Sequence, residues 1–507
     1  MTIWLIGPFF TSLSHRFHSL AGDSELWKRQ YYSRWVRPRA RRLANTKRAD
    51  TAPSKVEYSP RVSTWLDHSH LAKDGMPTNW KRQYRLRHNW SKGICRVTEI
   101  EFPQPPCPPM LVKFCAGFIF TADSGYGLRA WIASNPKSCV ASMSLSKPQQ
   151  EPSSGSPTAL AASRNLHQDR IEIAVGFQDG RFSVYDLNTK TLKLGLRFIH
   201  AGSTDEMITA MASSNPYLLT VSQHKVLSLY RTPSALEDSD QHRPRGEVRL
   251  LTSLKADNIV APLSLSIRAT MSEIIASIVY SFFHIGCGWS LGIQELRLDK
   301  CGHQIGSRLA TTVDSQYGVR PIQSLSLPER AHHFTSDEVP TEPSILHQEP
   351  PTSLSYSHPY LLASHADNTL TMYLVFSASD SFFIKSGKRL WGHTSSVATV
   401  QVSDRGKAIS VSSRGDEIRV WELETVLSSL VTQRATKEEN SIRVSPENTQ
   451  TEWHEGHTLL KGVRLASTDV SQQLARMRGC VGFDDERVLL LREKELGAPL
   501  IECYNFI

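Results

Sequence analysis

The stretch WGHTSSVATVQVSDRGKAISVSSRGDEIRVWEL, residues 391–423, is the part of the sequence that decides the fold class. It opens with Gly-His, alternates between two sets of side chains from 397 to 402, and turns at Ser-Asp-Arg-Gly before a last apolar segment. A period of two residues, with turn residues about every eight to twelve positions, is typical of consecutive antiparallel strands. The stretch therefore predicts β-structure that needs neighbouring units, because one such unit cannot bury both of its faces.

A weaker form of the same pattern recurs along the chain. In the clearer copies, small residues lead into an Asp or Gly turn and then into a strand that ends in an aromatic residue or a leucine, and an apolar run supplies one further unit. The copies are FTADSGYGLRAW (120–131), IAVGFQDGRFSVYDL (173–187), LLTVSQHKVLSLY (218–230), LLASHADNTLTMY (361–373), CVGFDDERVLLL (480–491) and the apolar run ASIVYSFFHIGCGWSLGI (276–293). Together with the stretch 391–423 they predict an all-β protein of about seven repeated units.

The unit at 391–423 resembles a WD repeat, with Trp421-Glu422 in place of Trp-Asp. The spacing from Gly-His to Trp and the positions of the turns both agree with that family. The resemblance implies a WD-repeat β-propeller of about seven blades, the commonest size in the family, over residues 94–507. The β-patterned segments 95–102 and 499–506 are expected to share the sheet that closes the ring.

The WD-repeat resemblance also assigns structural positions. In well-kept repeats a His, a Ser or Thr, an Asp and the strand Trp form a hydrogen-bonded tetrad, and His393, Ser413 and Trp421 match three of these positions. The Asp position, six residues before Trp421, holds Gly415, while Asp416 is displaced by one. We therefore expect an incomplete tetrad that supports the fold and performs no chemistry.

Two other acidic residues occupy the position six residues before the aromatic end of a strand. They are Asp179, which precedes Tyr185, and Asp367, which precedes Tyr373. Because Asp side chains accept hydrogen bonds from the backbone of the next residues, we expect both to stabilise the turn before the strand.

The segment FHSLAGDSELWKRQYYSRWVRP, residues 17–38, resembles the second half of an F-box, which commonly ends Leu-Ala-x-Asp-x-x-Leu-Trp. The positions that match are Leu20, Ala21, Asp23, Leu26 and Trp27. The resemblance implies a small helical module whose apolar residues Phe17, Leu20, Leu26 and Trp27 contact a Skp-type adaptor. Gly22 is expected to break the helix, and Asp23 or Ser24 to cap the next one. The alternative is an ordinary amphipathic helix pair that docks on the propeller.

The F-box resemblance lacks its first half. The opening MTIWLIGPFFTSLSH does not supply the Leu-Pro and apolar helix with which an F-box begins. Either the start of the module is encoded upstream of Met1, or the module is degenerate. A third element, the Asn-Trp-x-x-Gly at 89–93, resembles the junction between linker helix and first propeller strand in F-box/WD-repeat proteins. The predicted domains are thus a partial F-box with a basic tail (1–50), linker helices (51–93) and the propeller (94–507).

Four segments rich in Ser, Pro, Glu and Gln interrupt the strand pattern. They are residues 142–163, 232–247, 336–353 and 432–450. Such segments cannot bury enough apolar surface to offset the entropy of ordering the chain, so we predict disordered loops.

The charge of the chain is unevenly distributed. The formal net charge is +9, but the excess lies in the first 100 residues and the remainder is slightly acidic. The basic run 28–48 has two interpretations, a solvated helix face or linker and a surface for nucleic acid, membrane or an import receptor. Its aromatic residues Tyr31, Tyr32 and Trp35 either stack on bases or anchor the helix. Because the body is slightly acidic, no nucleic-acid partner is expected.

The sequence contains no recognisable enzyme or cofactor signature. The eight cysteines form no CxxC pair, and HEGH at 454–457 places its histidines three apart where a zinc-protease helix needs four. GCGWSLG at 286–292 has the wrong spacing for a phosphate loop. No apolar run is suited to a membrane helix. We expect no catalytic residue, cofactor, metal or membrane association, and a cytoplasmic or nuclear location.

The F-box/WD-repeat resemblance implies a function. The chain would be the substrate-recognition subunit of an SCF-type ubiquitin ligase, with a Skp-type adaptor and a cullin as partners and an unidentified target protein on the propeller. The alternative is a WD-repeat interaction scaffold without a ubiquitin link. Recovery of the adaptor and cullin with the protein distinguishes the two.

Overall fold

The chain divides into two compact units. The structure, a computed structural model, describes residues 22–37, 78–101, 110–145, 156–165, 169–202, 206–233, 248–255, 259–270, 272–316, 345–378, 381–385, 387–403, 405–415, 417–423, 441–446, 476–493 and 499–507. One unit, here the helical unit, comprises 1–96, 420–451 and 505–507, and the other, the propeller unit, comprises 97–419 and 452–504.

The described residues form seven β-sheets, which we call blades. Strand β1 (Ile94–Glu101) comes first along the chain and belongs to the last blade. Blades 1 to 3 contain β2 (Leu111–Cys115), β3 (Phe118–Asp123), β4 (Gly127–Ile132), β5 (Asn135–Met143), β6 (Pro157–Asn165), β7 (Arg170–Phe177), β8 (Phe182–Asn188), β9 (Lys193–His200), β10 (Ile208–Ser214), β11 (Tyr217–Ser222), β12 (Val226–Arg231) and β13 (Arg249–Lys255), four strands to each blade.

The remaining blades follow in chain order. Blade 4 contains β14 (Val260–Ala269), β15 (Glu273–His284), β16 (Gly288–Asp299) and β17 (Gln304–Thr311), and blade 5 contains β18 (Ser353–Ser357), β19 (Tyr360–Ser364), β20 (Leu370–Ser377), β21 (Phe382–Ile384) and β22 (Lys388–Leu390). Blade 6 contains β23 (Val397–Val402), β24 (Lys407–Ser412), β25 (Ile418–Glu422) and β26 (Ser441–Arg443), and blade 7 contains β27 (Ser445–Pro446), β28 (Arg476–Phe483), β29 (Arg487–Glu493) and β30 (Pro499–Asn505) with β1.

The propeller unit closes into a ring through the first strand of each blade. Strands β2, β6, β10, β14, β18, β23 and β28 contact one another in that order, and β28 contacts β2. Blade 7 has the strand order β27-β1-β30-β29-β28, so the segments 95–102 and 499–506 share one sheet, as their pattern predicted. The all-β propeller of seven blades predicted from the sequence is confirmed.

Burial separates the inner strands from the outer strands of each blade. The second strand is packed against neighbouring blades on both faces, so that β7 and β24 are buried along nearly their whole length. Their near-continuous apolar runs are the pattern expected of a strand covered on both sides. The fourth strands β9 and β13 alternate between exposed and half-buried positions, because one face of an outer strand is exposed to water.

The repeated sequence pattern marks hairpins, although not always the same hairpin. The copies in blades 1 to 5 each supply the second and third strands of their blade. The copy at 480–491 instead supplies the first and second strands, β28 and β29. Blade 7 also differs from the others in taking its fourth strand, β1, from a distant part of the sequence.

The predicted loops are shorter than the segments from which they were inferred. Residues 157–163 of the segment 142–163 belong to strand β6, Ser353 begins β18, and residues 441–446 contain β26 and β27. Small residues explain the first case, since Ala159 and Ala161 are buried between blades 2 and 3. The described residues of 232–247 are 232 and 233, and Thr232 donates its backbone N–H to the Pro216 carbonyl at 2.7 Å. Residues 142–145, which include the end of β5, residue 156 and residues 345–352 are also described, and the rest of the four segments lies outside the described residues.

Within the described residues, the helical unit contains two helices that pack through aromatic side chains. Helix α1 (Ser24–Tyr31) begins at Asp23, whose carboxylate accepts the Glu25 N–H at 2.9 Å, and continues into a π-helical turn, Tyr32–Val36. Helix α2 (Trp80–Lys92) begins at Asn79. Trp27 and Tyr31 of α1 pack against Trp80 and Tyr84 of α2 in a buried cluster. The capping role predicted for Asp23 agrees with this geometry.

Helix α2 ends where the sequence pattern Asn-Trp-x-x-Gly predicted a junction. Gly93 has φ +69°, and a β-carbon there would overlap the Arg443 carbonyl oxygen, so only glycine fits. Asn89 donates from Nδ2 to the Phe506 carbonyl at 2.8 Å, and Trp90 stacks on the Phe506 ring at 3.7 Å. These contacts place residues 441–446 and 505–507 in the helical unit, so its limits differ from the predicted boundary at residue 93.

A short helix, α3 (Thr312–Gln316), follows blade 4. Among the helices of the described residues, none is both long and apolar enough to cross a bilayer.

Candidate protein-binding surface

A group of exposed apolar side chains lies on the propeller unit at the hairpin between β15 and β16. Phe283 is 62% exposed and Ile285 is 90% exposed, although both are large and apolar. The Phe283 ring meets the Trp289 ring edge to face, with centroids 6.0 Å apart. Soluble proteins rarely leave neighbouring large apolar side chains in water, so such a hairpin indicates a contact surface.

The segment 345–350 lies against this hairpin. Trp289 donates its backbone N–H to the His347 carbonyl at 2.8 Å, and Gly288 pairs in parallel with His347. Gly288 has φ +66°, and a β-carbon there would overlap the same carbonyl oxygen, so close approach of the two backbones requires glycine. Leu346, the residue before His347, is 47% exposed. It extends the apolar surface that begins on the hairpin.

A fourth exposed residue, Trp391, follows β22 and precedes the first strand of blade 6, and its side chain is 67% exposed. The Arg389 guanidinium lies 5.7 Å from its ring centre. We call Phe283, Ile285, Leu346 and Trp391 the rim surface.

Leu346 and Trp391 lie at the same end of the propeller unit. Each precedes the first strand of its blade, β18 or β23. The Ser353 and Ser355 hydroxyls accept hydrogen bonds from the Val400 and Val402 N–H groups at 3.5 and 3.0 Å. Because residue numbers increase together along the two strands, β18 and β23 run parallel, and the segments that enter them share one end.

Two stacked histidines lie beneath this surface. The rings of His347 and His365 are stacked, with centroids 3.9 Å apart and nearly parallel planes at an angle of 7°. The Thr371 hydroxyl lies 3.3 Å from Nε2 of His347 and 3.2 Å from Nε2 of His365. Burial is the main cause that lowers the pKa of His347 to about 4 and that of His365 to about 3. Both rings are therefore neutral near pH 7 and act as packed polar supports.

Asp367 occupies the turn between β19 and β20, next to this histidine pair. Its Oδ1 accepts the Thr369 N–H at 3.2 Å, and its Oδ2 lies 3.9 Å from Nη1 of Arg389. Burial raises the pKa of Asp367, but the hydrogen bonds from Thr369 prevail and lower it. The carboxylate thus holds the turn, the role expected from the sequence, and also lies near the arginine beneath Trp391.

The blade 6 residues assigned to the tetrad make a different set of contacts. His393 hydrogen-bonds through Nε2 to the Ser410 hydroxyl at 2.6 Å, and its Nδ1 lies 3.4 Å from Glu417. Ser413 lies beyond the end of β24 and bonds to Ser396 instead. The hydroxyl that meets His393 therefore belongs to Ser410, within β24, and not to Ser413.

Glu417 provides the acidic group of this site. Its carboxylate accepts the Thr394 N–H at 2.9 Å and the Arg419 Nε–H at 2.7 Å. Burial raises the pKa of Glu417, but these hydrogen bonds prevail and lower it to about 2. Asp416, the displaced candidate from the sequence, lies outside the described residues. Trp421 is fully buried, as expected of a structural position.

The remaining candidates have local structural roles or lie outside the described residues. Asp179 accepts the Arg181 N–H at 3.2 Å in the turn between β7 and β8, while Tyr185 and Tyr373 are buried in cores between blades. Phe17 and Leu20 lie outside the described residues. Leu26 packs against the buried aromatic cluster of the helical unit.

Trp27, which the F-box resemblance assigned to the adaptor contact, packs inside the helical unit. Its side chain is 6% exposed, and its ring lies 5.2 Å from that of Tyr84, so it supports the module from inside. Tyr31 and Trp35 join the same cluster, and Arg34 donates to the Tyr84 hydroxyl at 3.0 Å. Of the two interpretations of the basic run, these contacts favour anchoring of the helix over stacking on bases.

The histidine pair and the rim surface could not be recognised from the sequence. The sequence pattern marks the strands that lead to Phe283 and Trp391 but gives no sign that these side chains remain exposed. His347 lies in a segment predicted to be disordered, where no periodicity indicates burial. Glu417 had a signal, an acidic residue near the expected Asp position before Trp421.

Comparisons with known proteins agree with this architecture. A family model described as the F-box protein pof12 beta-propeller matches residues 95–507, and the chain belongs to that family. A stretch of 76 residues is 33% identical to the F-box protein pof12 of Schizosaccharomyces pombe and covers 15% of this chain and 17% of that relative. Fold and family together identify residues 95–507 as the β-propeller of an F-box protein family.

Solved propellers also resemble the chain. BamB from Moraxella catarrhalis is 8% identical with a TM-score of 0.40, over 81% of this chain and 97% of that chain. The WD40 β-propeller domain of Doa1 is 8% identical with a TM-score of 0.37, over 80% of this chain and 95% of that chain.

Proposed function

We propose that the protein is the substrate-recognition subunit of an SCF-type ubiquitin ligase. The helical unit binds a Skp-type adaptor that links it to a cullin, and the propeller unit binds a target protein at the rim surface. The protein contributes proximity between target and ubiquitin-conjugating enzyme rather than catalysis by its own side chains. The observation that carries the proposal is the rim surface of an F-box family propeller, whose four large apolar side chains are exposed.

The chemistry of the rim surface suits a protein segment with apolar anchors. Covering one large apolar side chain contributes about 1.5–3 kcal/mol, and tryptophan is among the residues that most often dominate a binding energy. Arg389 beside Trp391 adds a positive charge at the edge of the apolar area. The buried supports beneath the surface, His347 and His365, hold its backbone in place before a partner arrives.

An interaction scaffold without a ubiquitin link is the second candidate. The observation that favours it is the position of Trp27, which is buried within the helical unit and offers little surface to an adaptor. A scaffold would use the same rim surface but would recover neither adaptor nor cullin.

Affinity purification of the full chain, probed for the adaptor and the cullin, separates the two candidates. Leu26→Ala removes a half-buried side chain of α1 that remains partly accessible, and it is expected to reduce adaptor recovery several-fold. Leu250→Ala, at an exposed position of β13, is the matched control and is expected to leave recovery unchanged. Absence of the adaptor from the unmutated, folded protein would exclude the ligase and leave the scaffold.

The target-binding role of the rim surface is tested by protein abundance in cells. Replacing the protein by an Ile285→Ser, Trp391→Ala variant should cause its targets to accumulate, because they are no longer brought to the ligase. Ile305→Ser is the matched control, since Ile305 is exposed on the outer strand β17, away from the rim surface. If both variants change the same proteins equally, the rim surface is not the target site.

We also propose a cytoplasmic or nuclear location, where adaptor and cullin would be available. Imaging of the tagged full chain tests this proposal, and accumulation in a secretory compartment would contradict it.

A further inference from the structure

The hairpin between β16 and β17 brings together three side chains of different metal-binding chemistry. Its sequence is Asp-Lys-Cys-Gly-His, residues 299–303. Gly302 donates its N–H to the Asp299 carbonyl at 3.0 Å, and Asp299 donates to the His303 carbonyl at 2.9 Å. These two bonds close the turn, so that the side chains of Asp299, Cys301 and His303 lie on one small surface.

The possible ligand atoms of these residues are already close to one another. A carboxylate oxygen of Asp299, Sγ of Cys301 and a ring nitrogen of His303 all lie within 4.8 Å of each other. The Asp299 Oδ2 and His303 Nδ1 atoms are 3.1 Å apart. Ligands about 2.0–2.3 Å from a tetrahedral zinc ion stand roughly 3.3–3.6 Å from one another, so small side-chain rotations suffice.

We propose that Asp299, Cys301 and His303 form a binding site for a zinc ion. Oxygen, sulfur and nitrogen are the three donor types that zinc accepts in proteins, and three protein ligands leave the fourth tetrahedral position open. Cys301 and His303 are exposed, so a water molecule or a side chain from another protein can occupy that position. Binding breaks the thiol S–H bond and releases its proton to solvent as the sulfur–zinc bond forms.

Strand β13 of blade 3 packs against the turn between β16 and β17. Leu251 of β13 lies so close to Gly302 that a β-carbon there would be 2.6 Å from its Cδ2. Thr252 donates its hydroxyl proton to Gln304 Oε1 at 2.9 Å. The His303 N–H also donates to the Asp299 carboxylate at 2.7 Å. The ligand residues thus occupy a turn with a defined backbone, which reduces the entropy lost on binding.

Alkylation of the reduced, metal-free full chain reports on this site directly. Iodoacetamide is added with and without zinc, and the modification of each cysteine is followed by peptide mass spectrometry. Zinc is expected to slow alkylation of Cys301 at least tenfold, because a coordinated thiolate is no longer available to react. Cys139, another exposed cysteine, is the internal control, and its rate should not change. Magnesium, which prefers oxygen ligands, should protect neither residue.

The His303→Gln variant tests the coordination while the reporter thiol remains in place. Loss of this ligand is expected to raise the zinc concentration needed for protection of Cys301 by at least tenfold. Thermal unfolding of the metal-free variant should match that of the unmutated chain, because the side chain is exposed. The proposal is overturned if zinc leaves Cys301 as reactive as before, if it protects Cys139 equally, or if His303→Gln is protected at the same zinc concentration. It stands or falls independently of the ligase proposal.

Discussion

The aromatic cluster of the helical unit and the rim surface of the propeller unit use the same residue types in opposite ways. Trp27 is 6% exposed and packs against rings from a second helix, whereas Trp391 is 67% exposed beside a single arginine. Burial of a ring within the chain stabilises the fold, while a ring left in water offers its binding energy to a partner. The residue type alone therefore does not distinguish an aromatic side chain that stabilises the fold from one that is available to bind a partner.

The largest effect on stability is expected from Trp27→Ala. Removing a buried tryptophan leaves a cavity between α1 and α2, and we expect the free energy of unfolding to fall by about 3–5 kcal/mol. Urea denaturation followed by circular dichroism of the helices measures the change. Trp391→Ala is the matched control, because removal of an exposed side chain usually changes stability by less than about 0.5 kcal/mol. Equal losses for the two variants would contradict the comparison.

The next effect concerns the backbone beneath the rim surface. Gly288→Ala introduces a β-carbon at positive φ that overlaps the His347 carbonyl oxygen, so the segment 345–350 must move away. We expect a loss of about 1–3 kcal/mol and faster amide exchange at Trp289. Gly195→Ala is the control, since a β-carbon at Gly195 has no neighbour within 4 Å. Unchanged exchange at Trp289 would show that the close approach does not hold the segment.

A smaller effect is the pH dependence of stability that the buried histidines His347 and His365 contribute beneath the rim surface. Burial lowers the pKa of His347 to about 4 and of His365 to about 3, both from an ordinary value of 6.5. The unfolded chain therefore binds more protons below pH 6.5, and stability present above that pH is lost as the pH falls toward 4. Each histidine contributes a slope of up to about 1.4 kcal/mol per pH unit.

Denaturation of the His365→Gln variant between pH 7 and pH 5 isolates this contribution. The variant is expected to lose stability less steeply on acidification than the unmutated chain. His224→Gln, at an exposed histidine, should leave the slope unchanged. Glu417, whose pKa is lowered to about 2, is present in both chains, so its contribution cancels in the comparison. A slope that His365→Gln does not alter would show that His365 is not held neutral by burial.

The smallest effect on stability is expected from Ile285→Ser. Ile285 is 90% exposed, so its replacement should shift the melting temperature by no more than about 2 °C. Differential scanning calorimetry measures the shift. A marked loss of stability would mean that Ile285 packs within the chain and is not free to contact a target.

Much of the propeller was predictable because its strands carry a local signal. Alternation with a period of two and turns rich in Asp and Gly located the hairpins of all seven blades, and the segments at 95–102 and 499–506 were paired correctly. The limits of the loops were less predictable. Segments such as 157–163 have the composition of a loop, yet they become strands because the edge of a neighbouring strand supplies hydrogen bonds and small residues fit between blades.

The sequence by itself determined the fold class, the positions of the hairpins and the caps Asp23 and Gly93, since each depends on residues close together in the chain. Only the tertiary structure decided which rings are buried. Trp27 meets Tyr84 across a long stretch of sequence, the stacked His347 and His365 come from different segments, and Ser410 rather than Ser413 meets His393. Side-chain burial depends on neighbours distant in sequence, and no local period encodes those neighbours.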